Sequence, residues 1–341
     1  MECDNKPLEP GAVSRVHGIL LNAPALELAR SLALQDCALL SIRLDRTYPG
    51  LDTLKSGLHL LTLVDGRFLR EDVVERALCL RIFVHVSVLT CPNWDQSVRM
   101  IAKWIEVAAE SSDTFGNLLA FFAVTSALCS KELQSLRTLW RNLARGYETQ
   151  AKIFDEVLVP KLRKINFLEE DSGSNELVVI PHVIPFLAGC KDLKDRRTFA
   201  VLFREIFEDN YSSVALGEKS MDQNGKSGVA SISAEAKFKK HLAGMQSHLL
   251  AIPDYKRRAE EVLGVTSGAE TASPPDEVLQ EVMKTEFHLR LLWGSRGCLA
   301  GSEERHFKFE KVIGALTGIC QKIERTILLE EASQRSKTSS E

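Results

Sequence analysis

Apolar residues in this chain recur at intervals of three and four, and strict alternation is nearly absent. Val98, Ile101, Ile105, Ala108 and Ala109 follow this spacing. So do Leu133, Leu136, Leu139, Trp140 and Leu143, and again Phe309, Val312, Leu316, Ile319, Ile323 and Ile327. Such spacing puts side chains along one side of an α-helix, so the expected fold class is all-α. One piece reads as strand: Leu58-His59-Leu60-Leu61-Thr62-Leu63-Val64, closed by Asp65-Gly66. A D-G pair favours a tight turn, so one short β-hairpin is admitted there.

Helix punctuation is legible near the end of the chain. Ser273 precedes Pro274 and Pro275, with Asp276 three residues on, the pattern of an N-cap, a first-turn Pro and a capping-box acid. The helix it opens is expected to run from Glu277 to Trp293, burying Leu279, Met283, Phe287 and Leu291 and stopping at Gly294. Loops are expected near 169–176, 211–233 and 264–273, where Ser, Gly, Asn and acids cluster. None of them separates regions of different composition. The expected organisation is therefore a tail over 1–11, a single helical domain over 12–329 and a disordered tail over 330–341.

Composition supports a globular reading. The chain has 341 residues, 45% hydrophobic and 26% charged, enough apolar material for a sizeable core. The formal net charge of −3 excludes a global polycation built for nucleic acid. No apolar run approaches the roughly 18–20 residues of a membrane span, and the N-terminus has no signal-peptide pattern. The cysteines are Cys3, Cys37, Cys79, Cys91, Cys129, Cys190, Cys298 and Cys320, widely spread and mostly among apolar neighbours. Reduced, buried thiols in the cytosol are the expectation.

Motifs for covalent chemistry are missing: no nucleophile elbow, P-loop, G-x-G-x-x-G, H-E-x-x-H or EF-hand loop occurs. His241 and His248 are seven apart and lack nearby acids or thiols, a poor metal site. The spacing leaves binding, or exchange catalysis, which needs no nucleophile. No cofactor is expected. One charge feature stands out. From Lys237 to Arg258, six cations (Lys237, Lys239, Lys240, Lys256, Arg257 and Arg258) face one acid, Asp254. Within it Phe238, Leu242, Met245, Leu249 and Ile252 keep helical spacing. A basic-bordered stripe of this kind suits an acidic partner helix or an anionic membrane surface; it equally suits an ordinary helix with its stripe in the core.

Four pieces, in order, resemble the catalytic domain of Ras-family guanine-nucleotide exchange factors. They are Leu32-Ala33-Leu34-Gln35-Asp36-Cys37-Ala38-Leu39-Leu40; Arg99 to Ala108 followed by Gly116 to Val124; Leu136-Arg137-Thr138-Leu139-Trp140; and Pro181-His182-Val183-Ile184-Pro185-Phe186-Leu187-Ala188-Gly189 with Asp192-Leu193. His182 stands where the family usually has Cys. Active members also carry an Asn-rich run where Thr114-Phe115-Gly116-Asn117 stands, and a helical-hairpin signature where Lys194-Asp195-Arg196-Arg197-Thr198-Phe199 follows Asp192-Leu193.

Further pieces are similar to one branch, the adaptor family of novel SH2-containing proteins. They are Ser56 to Leu63 with Gly66-Arg67, Leu69-Arg70 and Val74-Glu75-Arg76; Thr285 to Gly297; and Lys308 to Val312 with Ala315-Leu316. The family's phosphotyrosine-binding SH2 domain has no counterpart in this chain, so a C-terminal portion or a short form is expected.

The resemblance implies a Ras-exchange-factor-like helical domain that is not an enzyme. It implies an adaptor that binds the C-terminal focal-adhesion-targeting helical bundle of Cas scaffold proteins. Such an adaptor would be cytoplasmic, recruited to focal adhesions, and free of nucleic-acid or integral membrane contact. The alternative is an active exchange factor for a Ras- or Rap-type GTPase; binding such a GTPase without exchange is a further partner reading. Partner contact is expected from His241, Leu242, Met245, Gln246, Leu249 and Tyr255, with Lys239 and Arg257 supplying charge. Gln246 stands where the family's contact helix has a basic residue.

Overall fold

The computed structural model describes residues 6–40, 57–167, 178–194, 262–263, 276–294 and 301–338. The described part is helical and, among the described residues, contains no strand beyond one isolated bridge between Asn117 and Ile180. Helices α1 (Pro10–Asn22) and α2 (Ala25–Leu40) lead to a short α3 (Gly57–Leu61) and then the long α4 (Arg67–Leu89). Next come α5 (Trp94–Asp113), α6 (Leu118–Leu128), α7 (Lys131–Gln134), α8 (Arg137–Gly146), α9 (Glu148–Lys152) and α10 (Val159–Phe167), the last two joined by a π turn. Two short helices, α11 (Ile184–Gly189) and α12 (Lys191–Lys194), are followed in the C-terminal part by α13 (Glu277–Val282), α14 (Thr285–Trp293) and α15 (Ser302–Thr338).

The centre is a layer of four helices. α2 packs on α5, α5 and α4 pack on α6, and α14 and α15 cover α4 from outside. Every residue of α6 is buried, which its sequence, Leu-Leu-Ala-Phe-Phe-Ala-Val-Thr-Ser-Ala-Leu, permits on all sides. α5 is amphipathic instead. Asn93 caps it by accepting from the Gln96 amide at 2.9 Å, and Val98, Ile101, Ile105 and Ala108 are buried. Trp104 is fully buried; its indole N–H donates to Ser87 Oγ at 2.8 Å and its ring meets Phe83 edge-on at 6.1 Å.

The structure corrects several sequence expectations. Residues 58–64 form no hairpin. Leu58 and Leu61, three apart, are both buried in α3, while Leu63 and Val64 are exposed. The Arg70 guanidinium donates to the carbonyls of Leu61 at 2.8 Å, Leu63 at 2.6 Å and Val64 at 3.3 Å, the role a partner strand would otherwise play. Gly66 is required because a Cβ there would lie 1.9 Å from the Leu60 carbonyl oxygen. The cap of the late helix is Asp276, which accepts from Val278 N at 2.8 Å and Leu279 N at 3.2 Å. The single helix expected over 277–293 breaks at Met283–Lys284 into α13 and α14. Leu279, Met283 and Leu291 are buried, Phe287 half-buried, and Gly294 ends the run with φ 69°.

Among the described residues, helix reaches into both expected tails, from Pro10 at one end and to Thr338 at the other. Pro10 starts α1, Glu9 caps it by accepting from Gly11 N and Ala12 N, and the Leu8 amide donates to Leu291 O at 2.8 Å. Those amides hold the Glu9 carboxyl below its usual range. At the other end α15 continues to Thr338, through a run with no Gly or Pro and several strong helix formers. The periodic stripe of α15 also faces differently than its spacing suggests. Phe309 is buried, but Val312, Ile319 and Ile323 are exposed; Ile313, Thr317, Cys320 and Glu324 turn inward instead.

Candidate functional site

Several of the family-like sequence pieces meet at one buried junction. Asn117 caps α6, its side-chain oxygen accepting from Ala120 N at 3.0 Å, while its amide group donates to Asp36 Oδ2 at 2.7 Å. Asp36, wholly buried in α2, accepts from Arg76 Nε of α4 at 2.6 Å. Arg76 then donates to the Met283 carbonyl at 2.5 Å, at the α13–α14 break. One carboxylate thus links α2, α4, the α5–α6 junction and the C-terminal helices. Removing one partner would strand the other in a low-dielectric interior.

The Pro181–Gly189 piece docks beside this node. Gly116 adopts φ 58°, and its carbonyl accepts from Val179 N and Ile180 N, each at 3.0 Å. Leu118 N donates back to Ile180 O at 2.8 Å, completing the bridge. His182 packs on Phe122 with ring centroids 4.4 Å apart and tilted by 35°, and donates from Nε2 to Asn166 Oδ1 at 2.9 Å. A histidine in place of the family's cysteine is thereby packed and hydrogen-bonded. Other resembling residues are architectural too: Lys103 donates to Ala23 O at 2.8 Å, closing the α1–α2 turn, and Trp140 donates to Leu133 O at 2.9 Å.

Beside this charged pair, the buried histidines and thiols of the core are held in their neutral forms. Burial pushes the His85 pKa down to about 3, with Arg81 nearby adding to the effect. Its Nδ1–H donates to Arg81 O at 2.9 Å and Nε2 accepts from Ser130 Oγ at 2.7 Å. His288, stacked on Phe83 at 4.2 Å and close to Arg76, is lowered well below its ordinary value by burial. Burial also takes His306 down to about 4. The Cys91 and Cys129 thiols are pushed up to about 12 by burial, and Cys79 is raised further, so none is a ready nucleophile. Cys37, Cys79, Cys91, Cys129, Cys190 and Cys320 form no disulfide; Cys79 and Cys320 are buried as expected, the other four only half-buried, and Cys3 and Cys298 lie outside the described residues. Among the described residues no three His, Cys, Asp or Glu side chains gather as metal ligands.

The expected partner contacts Lys239, His241, Leu242, Met245, Gln246, Leu249, Tyr255 and Arg257 lie outside the described residues, as do His248 and the stretches 169–176, 211–233 and 264–273 where loops were expected. The described residues on either side of that stretch are firmly held. Leu193 is fully buried, and the neighbouring Asp192 pairs with Arg70 at 2.9 Å. Leu263 is buried and its carbonyl accepts from Arg30 at 3.3 Å. Sequence reasoning missed the Asp36–Arg76–Asn117 node. The available signal was a lone acid inside an otherwise apolar helical run, Leu34-Gln35-Asp36-Cys37-Ala38-Leu39.

The helical layer thus has the Pro181 piece bonded across Gly116–Asn117. A family model described as RasGEF domain matches residues 61–211. The chain is similar to "Breast cancer anti-estrogen resistance protein 3 homolog" of Rattus norvegicus, 30% identical over 316 residues, covering 92% of this chain and 34% of the relative. The Xenopus laevis protein of the same name is 29% identical over 321 residues, covering 93% and 35%. "SH2 domain-containing protein 3C" of Homo sapiens is 29% identical over 318 residues, covering 92% and 33%. This chain carries the Ras-exchange-factor-like domain of the novel SH2-containing protein family. It spans about a third of the length of the relatives it matches.

Proposed function

We propose that this chain is a non-catalytic signalling adaptor whose helical domain binds the C-terminal four-helix bundle of a Cas-type scaffold. The observation that carries the reading is the Lys237–Arg258 segment, an apolar helical-period stripe bordered by six cations in a chain that is slightly acidic overall. Leu242, Met245 and Leu249 supply the buried contact; His241, Gln246 and Tyr255 add polar and aromatic contact; Lys239 and Arg257 set orientation and association rate. Homology to adaptor-family relatives over most of the chain supports it. The loss of exchange activity is supported at Thr114-Phe115-Gly116-Asn117. Phe115 is buried and Asn117 is fully engaged by Asp36 and Ala120, so this stretch serves the fold. No helix among the described residues is long and apolar enough to cross a membrane; the expected setting is the cytoplasm, with recruitment to adhesion sites.

Titration calorimetry against an isolated Cas C-terminal bundle, with Leu242→Glu beside the parent chain, tests this. Binding lost in a variant that keeps its melting transition supports the reading. Equal binding by both refutes the contact residues, and no binding by either refutes the partner. The match to a RasGEF domain favours one competing reading, active exchange on a Ras-like GTPase. Fluorescent-nucleotide release from Ras and Rap proteins, accelerated by micromolar chain, would establish exchange and overturn the non-catalytic reading.

A further inference from the structure

Helix α15 is clamped against the domain along one stripe. Arg305 pairs with Glu75, Phe309 packs on Trp293 at 4.3 Å, Cys320 Sγ donates to Leu89 O at 3.4 Å and Glu324 accepts from Thr138 N at the start of α8. Gln321 adds a bond to Ser135 Oγ at 3.0 Å. These contacts span just over five turns and fix the helix's rotation. The residues left outside are therefore a consequence of the fold. Val312, Ile319 and Ile323 are 36%, 54% and 48% exposed, and Leu316 lies half-buried between them. They follow 4-3-4 spacing over about 17 Å, three helical turns. Monomeric surfaces scatter single apolar residues, but an aligned row of this kind marks a contact face.

The charges beside the row identify what fits it. From residue 308 to 329 the exposed charged side chains are Lys308, Lys311, Lys322 and Arg325 against Glu310; Lys308 is paired with Glu304 at 2.8 Å, Glu324 is turned inward, and Lys311, Lys322 and Arg325 are left as the excess. A second copy of this helix would bring cation against cation in either direction, and the Lys237–Arg258 segment is itself basic. The row is one residue wide and lacks aromatic anchors, unlike the broad apolar face of a membrane-surface helix.

We propose that the Val312–Leu316–Ile319–Ile323 row of α15 is a docking surface for an amphipathic helix of another protein whose apolar stripe is bordered by Asp and Glu. It does not depend on the Cas reading. The partner helix lies along α15 in the manner of a short coiled-coil seam, its acids against Lys311 and Lys322.

The test uses the full chain and a fluorescein-labelled synthetic peptide of three heptads, Leu at a and d and Glu at e and g, read by fluorescence anisotropy. The same peptide with Lys at e and g is the control. Saturation in the tens of micromolar is expected for the acidic peptide, with the lysine peptide at least about tenfold weaker. The double variant Ile319→Glu, Ile323→Glu should weaken binding at least about tenfold without shifting the melting temperature. Lys311→Glu, Lys322→Glu should weaken it less and reverse the peptide preference, while Leu242→Glu leaves it unchanged. Equal binding of both peptides, binding undiminished in the isoleucine variant, or binding lost in Leu242→Glu would overturn the proposal. So would three direct signs of another occupant: a lowered melting temperature in the isoleucine variant (a segment of this chain), a dimer in sedimentation velocity that it dissolves (a second copy), or phosphatidylserine-vesicle binding that it abolishes (a membrane).

Discussion

Helices α4 and α15 are both long, and they meet solvent on different terms. α4 is enclosed over most of its length, with Arg67, Phe68 and Asp72 near its start exposed: seventeen of its residues are buried, including Arg70, Arg76 and His85, and each of these polar side chains has hydrogen-bond partners inside the domain. α15 commits one stripe to the domain and leaves an aligned apolar row outside. A buried helix must satisfy every polar group internally, so α4 spends its charge on holding neighbours in register. A peripheral helix has a free side, and on that side an apolar residue contributes nothing to stability. The contrast teaches that polarity inside the core and hydrophobicity outside it are the two informative departures from the ordinary pattern.

The sharpest way to break this contrast is to cut the node on α4. Arg76→Ala should lower stability by about 3–5 kcal/mol in urea unfolding, because the Asp36 carboxylate is then left buried without its cation. A loss under 1 kcal/mol would mean that water reaches the site and that α4 is not the sealed helix described.

Acid should also act on the enclosed side. His85, His288 and His306 are neutral when folded, with pKa values below the ordinary 6.5. Unfolded, each regains its ordinary affinity for a proton, so the unfolded state binds more protons below that pH. Their stabilising contribution is complete above about pH 6.5 and is lost as pH falls toward about 4 for His306 and about 3 for His85. At pH 5 the loss should be about 2 kcal/mol each for His85 and His306, with His288 acting in the same direction, seen as a falling melting temperature. Replacing His85 with Gln should flatten part of that slope.

Smaller effects separate the two sides of α15. Glu324→Ala should cost about 1–2 kcal/mol, since it removes the acceptor for the Thr138 amide at the start of α8. Ile319→Ser should change stability by no more than about 0.5 kcal/mol, because its side chain is already half in water. If the order were reversed, the exposed row would be a structural contact and the inward stripe would not be the anchor.

Much of the fold is readable in the sequence. The three- and four-residue spacing over 98–109 and 133–143 corresponds to α5, α7 and α8, and Gly294 ends α14 as expected. The strand reading of 58–64 failed for a specific reason. Leucines at 58, 60, 61 and 63 satisfy a two-residue and a three-residue period at once, and only the Arg70 side chain, from the following helix, decides between them. The cap shifted from Ser273 to Asp276 because both residues are capable acceptors, and local sequence does not rank them. The candidate partner segment was visible through its charge and its stripe, which are local properties. The Asp36–Arg76–Asn117 node was not, because its members are 40 and 81 residues from Asp36 along the chain.

The sequence by itself determined the helical class, the positions of most helices and the family, since periodicity, caps and ordered motifs are written along the chain. Tertiary structure alone decided which side of α15 faces inward. Periodicity specifies a stripe in the helix's own frame, and α15 carries two interleaved ones. The rotation was set by Glu75, Leu89, Trp293 and Thr138, three of them distant in sequence, and burying the stripe that satisfies them left the other in water.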